Sequence, residues 1–460
     1  MSESRDVDLV VVGLGPGGEA LATGAAKAGL TVVAVDKHLV GGECPYYGCI
    51  PTKMMVRAAD ALGEARRADE LAGDVHVVPS WTPVAKRIAS DATDDWDDRV
   101  AVERLEAAGA RVVHGTARLA GERQVIVDLA DGTDGTLELR AGRGVVLNPG
   151  TRPAEPAVPG LAGTPFWTNR DAVQTTEVPE SLLIIGGGPI GCELAQVFAR
   201  FGADVTVVQH GERLLPADEP EASAALEEVF KAESIRVLTH AEAARVEYAD
   251  GAFSVTLSGG EVVGARQLLV AAGRHSNLEG IGLESVGLDP SDLQVDERLR
   301  AMDGLWVLGD VTGHGAFTHV SMYQAAIALR DVLEQDGPPA TYEAVPHTTF
   351  TDPEVAGVGL TEAAAREAGL SVRVGQTDLG GSSRGFTHGP GGAGLVKLVE
   401  DVDRGVLVGG TVVGPAAGEI LSMVTLAVHA SVPTSTLRSM IYAYPTFHRA
   451  IESALADLEA

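Results

Sequence analysis

The strand, glycine turn and helix that open this chain occur a second time in its middle, and that duplication restricts what it can fold into. Residues 8–12 are a β-branched apolar run, Gly13-Leu14-Gly15-Pro16-Gly17-Gly18 is a turn, residues 19–28 carry a small-residue helix pattern, and residues 31–35 form a second strand ending at Asp36. Residues 181–185, the turn Gly186-Gly187-Gly188-Pro189-Ile190-Gly191, a helix pattern over 192–201 and a strand over 204–208 repeat that order and end at Gln209. The spacing is 23 residues from Gly13 to Asp36 and again from Gly186 to Gln209. Two doubly wound nucleotide-binding folds in one chain are predicted.

Gly13, Gly15 and Gly18 match G-x-G-x-x-G, as do Gly186, Gly188 and Gly191. A glycine turn that opens a helix lets backbone N–H groups approach a pyrophosphate, and the helix dipole favours the anion. One match is weak, because strand–helix turns need glycine for packing as well; two with equal spacing are far more specific. The strand ends differ. Asp36 can accept hydrogen bonds from an adenosine ribose and would repel a 2′-phosphate. Gln209 is neutral and is followed by His210 and Arg213, so the second site leans to NADPH over NADH, although Glu212 weighs against it.

The 460 residues suffice for about three domains. Pro-rich junctions at 152–160 and 335–339 divide them. The net charge of −29 disfavours a nucleic-acid or membrane partner. No apolar run reaches the ~18–20 residues of a membrane span, and the acidic start leads straight into a strand, so a cytoplasmic protein is expected. Three cysteines cannot build a secreted disulfide framework.

Two of those cysteines lie five apart in Gly41-Gly42-Glu43-Cys44-Pro45-Tyr46-Tyr47-Gly48-Cys49-Ile50-Pro51-Thr52-Lys53. An unbroken helix would hold their Cα atoms about 8.7 Å apart, too far for a disulfide, but Pro45 and Gly48 offer a means of distorting it. A bridge there would be reducible, and a helix N-terminus would favour thiolate. Burial as two small residues is the plainer alternative. Zinc is disfavoured because no second ligand pair appears.

This stretch resembles the GGxCxxxxCxPxK signature of the class I pyridine nucleotide–disulfide oxidoreductases, which include dihydrolipoamide dehydrogenase, glutathione reductase and mercuric reductase. The resemblance runs along nearly the whole chain: Gly150 ends a turn, Gly273-Arg274 and 307–310 match further stretches, and 350–356 and 414–419 resemble the C-terminal dimerisation domain. It implies an α/β fold with two Rossmann-like domains and an α+β interface domain: 1–150 and 276–345 for FAD, 151–275 for NAD(P), and 346–460 for homodimerisation. It implies hydride transfer from nicotinamide to flavin N5 and then electron flow to a Cys44–Cys49 disulfide. Cys49 would lie nearer the flavin and Cys44 would meet the substrate, while Lys53 would sit near N5 paired with Glu193. FAD contacts are expected from Gly13, Gly15, Pro16, Gly17, Gly18, Asp36, Lys37, Gly42, Glu43, Lys53, Gly150, Gly309, Asp310, Phe317, Thr318 and His319. Those for NAD(P) are expected from Gly186, Gly188, Pro189, Ile190, Gly191, Glu193, Gln209, His210, Arg213 and Gly273. No metal site is expected.

The sequence departs from the family at its end. Where disulfide reductases carry H-P-T-x-x-E, Tyr444 replaces the His and Arg449 the Glu. A phenol with an ordinary pKa near ~10 donates a proton but is a poor base at neutral pH. His448 is a candidate substitute. The expected activity is a disulfide reductase. The alternative is reduction of quinones or other non-disulfide acceptors, with mercuric ion less favoured because the chain ends without a cysteine pair. A non-catalytic role in a lipoyl complex finds no positive sign.

Overall fold

The computed structural model describes residues 3–130 and 135–459. They form two compact units, each assembled from three separate stretches of chain: residues 1–51, 87–153 and 274–342, and residues 52–86, 154–273 and 343–460.

The first unit is built on the opening strand, Glu3–Val12. It pairs in parallel with Val32–Asp36 on one side and Thr136–Leu147 on the other. Its side chains alternate between two cores. Leu9 and Val11 join the helices Pro16–Lys27 and Thr318–Val332, while Val10 and Val12 join a core with residues of Arg111–Leu119, Gln124–Leu129 and Thr136–Leu147, of which Gln124–Leu129 pairs antiparallel with the other two. A strand buried on both faces reads as a continuous apolar run, which is why it was legible. Among the described residues this sheet has seven strands. Its strand Leu305–Val307 leads directly into the short 3₁₀ turn Gly309–Thr312.

The second unit contains a four-stranded parallel sheet in the order Gln267–Val270, Ser181–Ile185, Asp204–Val208, Arg236–Leu238, the arrangement expected of the repeated βαβ unit. Its helix Pro189–Arg200 is buried on nearly every side. The C-terminal stretch forms a five-stranded antiparallel sheet from Pro346–Thr349 to Val406–Gly414, with the helices Ala417–His429 and Ala450–Asp457 on its core. Burial of residues such as Leu398, Val412, Leu421 and Ile451 contributes roughly 1.5–3 kcal/mol each. The fold is α/β, with a mixed seven-stranded sheet in the first unit, a four-stranded parallel sheet in the second and an α+β C-terminal part. Among the described residues no helix is long and apolar enough to cross a membrane.

Candidate active site

The glycines of each fingerprint fall into two kinds. A Cβ on Gly13 would lie 2.2 Å from the Asn148 carbonyl oxygen, and one on Gly18 2.0 Å from that of Gly13. In the second turn, Gly186 would meet the Ala271 oxygen at 2.4 Å and Gly191 the Gly186 oxygen at 1.9 Å. Those four are glycine because strand and helix close on each other. Gly15 and Gly188 adopt extended backbone open to any residue, with φ of −63° and −80°. A Cβ on Gly188 would touch nothing within 4 Å, and one on Gly15 only the Asn148 side chain at 3.7 Å. The protein's own packing does not demand glycine at these two N-cap positions, next to Pro16 and Pro189. A helix N-terminus left open in this way is where backbone N–H groups can meet an anion.

The residues at the two strand ends mirror one another. Asp36 Oδ2 accepts from the Leu14 N–H at 2.6 Å, and Gln209 Oε1 accepts from the Gly187 N–H at 3.1 Å, in each case the second residue of the turn. Burial pushes the Asp36 carboxyl up, against the pull of the Leu14 and His38 amides. Lys37 and His210 are exposed. The Arg213 guanidinium folds back onto the carbonyls of Leu215, Pro216 and Asp218 and the Ser223 hydroxyl, so it stiffens its own loop.

The cysteine segment is broken as Pro45 and Gly48 foretold. Cys44 lies in the short helix Glu43–Tyr46, the chain kinks at Tyr47 and Gly48, and Cys49 starts the helix Cys49–Leu71. Both are thiols in this structure. The hydrogen bond Cys44 shares with Cys49, then burial, then repulsion from a thiolate at Cys49 push the Cys44 thiol up. The Thr318 hydroxyl, at the start of its helix, works the other way and lies 3.5 Å from Cys49 Sγ. Gly42 packs against the first fingerprint, where a Cβ would come within 2.9 Å of Gly15 Cα. Glu43 lies 3.9 Å from Arg274, and Phe317 and His319 stack 5.1 Å apart.

Further along the same helix, Lys53 Nζ meets Glu193 at 2.5 Å and lies 4.7 Å above the Phe350 ring. The other Glu193 oxygen accepts from the Phe350 N–H. Asp310 accepts from Thr151 at 2.6 Å, beside Gly309, whose φ is +79°. Gly150 and Gly273 hold positive φ of +65° and +114°, and their carbonyls accept from Asn277 and Ala154. At the C-terminus Tyr444 is 68% exposed. Arg449 stacks over its ring at 5.4 Å and pairs with Glu452 at 3.0 Å. His448 packs against Tyr442, 6.0 Å away.

The pyridine nucleotide–disulphide oxidoreductase family model matches residues 7–328, and that family's dimerisation domain matches 345–455. The chain belongs to this family. As a member it is a flavoprotein oxidoreductase that uses FAD and a nicotinamide nucleotide. It is 32% identical to a dihydrolipoyl dehydrogenase of Chlorobaculum tepidum (98% of this chain, 96% of the relative) and 33% identical to a mercuric reductase of Streptomyces lividans (97% and 95%). Among solved structures it superposes on LpdA from Mycobacterium tuberculosis with a TM-score of 0.87 at 27% identity, covering 99% of this chain and 100% of that one. The HOCl-induced flavoprotein disulfide reductase RclA from Escherichia coli, in a Cu(II) complex, gives 0.85 at 25%, with 98% and 99% covered.

The residues of this oxidoreductase fit two dinucleotides, on the strength of Gly15 and Gly188, which make room for something the chain does not itself contain. Sequence reasoning missed Asn148. Its buried side chain accepts from the Gly18 N–H at 2.7 Å and donates to the Leu308 carbonyl and the Ser321 hydroxyl, tying the first turn to the strand before Gly309. Nothing local marks it, because its partners lie 130 to 173 residues away.

Proposed function

We propose that this flavoprotein is a cytoplasmic, homodimeric NAD(P)H:disulfide oxidoreductase whose Cys44 and Cys49 are the last relay before the acceptor. The observation that carries this reading is the pair itself: two thiols in hydrogen-bond contact across a helix break, next to the first glycine turn and to Thr318. Bound FAD supplies the two-electron link between nicotinamide and this pair. Gly15 and Gly188 admit the two pyrophosphates. Glu193 fixes Lys53, whose cation would favour negative charge on a flavin bound beside it. Cys49 carries the thiolate and Cys44 faces the acceptor. With a disulfide, Cys44 sulfur attacks one substrate sulfur and releases the first thiolate. Cys49 thiolate then attacks Cys44, releases the second thiolate and restores the bridge. Two protons are taken up by the products, and a phenol such as Tyr444, which stands where the family carries its His, can donate one. Both NADH and NADPH are accepted, because Gln209 repels no 2′-phosphate while Arg213 is engaged elsewhere.

Tyr444 favours a second reading. An acceptor that needs no base, a quinone or a metal ion, suits a phenol held by Arg449. The Streptomyces mercuric reductase and the Cu(II)-bound RclA supply metals to test. Anaerobic titration with each nicotinamide checks the shared core: after two electrons, a long-wavelength thiolate–flavin band should appear, and its absence would sink both readings. A panel of lipoamide, glutathione and mycothiol disulfides, quinones, Hg(II) and Cu(II) then separates them. Turnover confined to quinones or metals would discard the disulfide reading.

A further inference from the structure

The Lys53–Glu193 pair has a twin seven residues further along each helix. Asp60 Oδ1 meets Arg200 Nη1 at 2.9 Å, as Lys53 meets Glu193 at 2.5 Å. The helices Cys49–Leu71 and Pro189–Arg200 therefore run parallel and in register, joined at two points about two turns, or roughly 10 Å, apart. The second joint is the more deeply built. Arg200 is 1% exposed and also binds Glu233 and Asp352, each at 2.7 Å. Between the two joints the Gln196 amide accepts from the Asp352 N–H at 2.7 Å and donates to the Asp352 carbonyl at 2.9 Å, and it also donates to Glu233 at 3.3 Å. Phe350, two residues earlier, donates its N–H to Glu193. A third segment thus locks the same helix face. Gly63 leaves the space Arg200 occupies, since a Cβ there would come within 2.9 Å of Nη1.

Buried ion pairs contribute little net stability compared with apolar packing of the same shape, and their best-attested use is to fix register. Here the register decides where Lys53 Nζ stands. A slip of one residue displaces a helix by about 1.5 Å along its axis, half the length of a hydrogen bond. We infer that Asp60, Gly63 and Arg200 are positioning residues that set the register of the two helices and so hold Lys53 on Glu193. This rests on the reading above, in which Lys53 faces the flavin.

The test is the potential at which the bound flavin bleaches in the holoenzyme. Lys53→Met lowers it, because a cation that stabilises the reduced form is gone. Asp60→Ala discriminates by sign. If Asp60 acted directly through space, removing its negative charge would raise the potential. Acting through Lys53, its loss lowers the potential by a threefold to tenfold shift in the two-electron equilibrium, about 15–30 mV. Asp60→Asn keeps the hydrogen bond to Arg200 and restores the parent value. Asp60→Ala adds nothing in the Lys53→Met background. A raised potential, equal shifts for Ala and Asn, or a shift that persists without Lys53 would each overturn the proposal while leaving Lys53 in its role. An unchanged potential in Lys53→Met would remove that role and the proposal with it. Asp60 is partly exposed, so its variants fold where an Arg200 variant risks not doing so.

Discussion

The hydrogen bond that Cys44 shares with Cys49, then burial, then repulsion from a thiolate at Cys49 push the Cys44 thiol up, so charge on one sulfur opposes charge on the other. Replacing Cys44 with Ser should therefore keep the thiolate–flavin band and lose turnover of any disulfide by about 10³-fold or more, whereas Cys49→Ser should lose both, as spectra and steady-state rates will tell. Tyr444 makes a second prediction at this scale. With no His in its place, kcat/KM for the acceptor should lack the limb near ~6.5 that an imidazole imposes, and a pH profile showing that limb would return His448 to the mechanism. Asp60 makes a third. Burial pushes its carboxyl up to about 6 from 3.8, because one guanidinium shared among three carboxylates cannot compensate each in full. The folded chain binds that proton more tightly than the unfolded chain. Its stabilisation is therefore complete below about 4 and is lost as pH rises through about 6. Thermal melts of the parent and Asp60→Asn at pH 4 and pH 7 should show the parent losing ground to the variant at the higher pH.

At the scale of elements, the strand–turn–helix units were legible because their glycine spacing and their apolar runs are local. The break between the cysteines was legible for the same reason, from Pro45 and Gly48. Asn148 and Arg200 were not. Arg200 reads as an ordinary cation at a helix end, and only the return of Asp60, Glu233 and Asp352 from 33 to 152 residues away makes it a buried hub. The fold-back of Arg213 onto its own loop was not legible either, because nothing local shows a guanidinium turning back. The two kinds of glycine give a prediction. Gly191→Ala forces a Cβ to 1.9 Å from a carbonyl oxygen and should lower the melting temperature sharply. Gly188→Ala should melt like the parent but raise KM for NADH and NADPH by about tenfold or more, equivalent to ~1.4 kcal/mol. Gly15→Ala should likewise fold and yet shed its FAD, as absorbance after gel filtration will report.

The whole molecule leaves apolar side chains in water on its C-terminal domain: Ile441 is 96% exposed, Phe386 80% and Leu426 62%. Their exposure is in keeping with the dimerisation domain that matches there. Ile441→Asp should yield monomers by sedimentation and reduce acceptor turnover, with nicotinamide reduction of the flavin retained. Neither compact unit is continuous in sequence, and the first cannot close until Tyr342 has been added, long after its opening strand has left the ribosome. During synthesis that strand, apolar on both faces, must wait for its neighbours. No simple truncation will isolate either half, and the nascent chain should lean on chaperones until its last third is made.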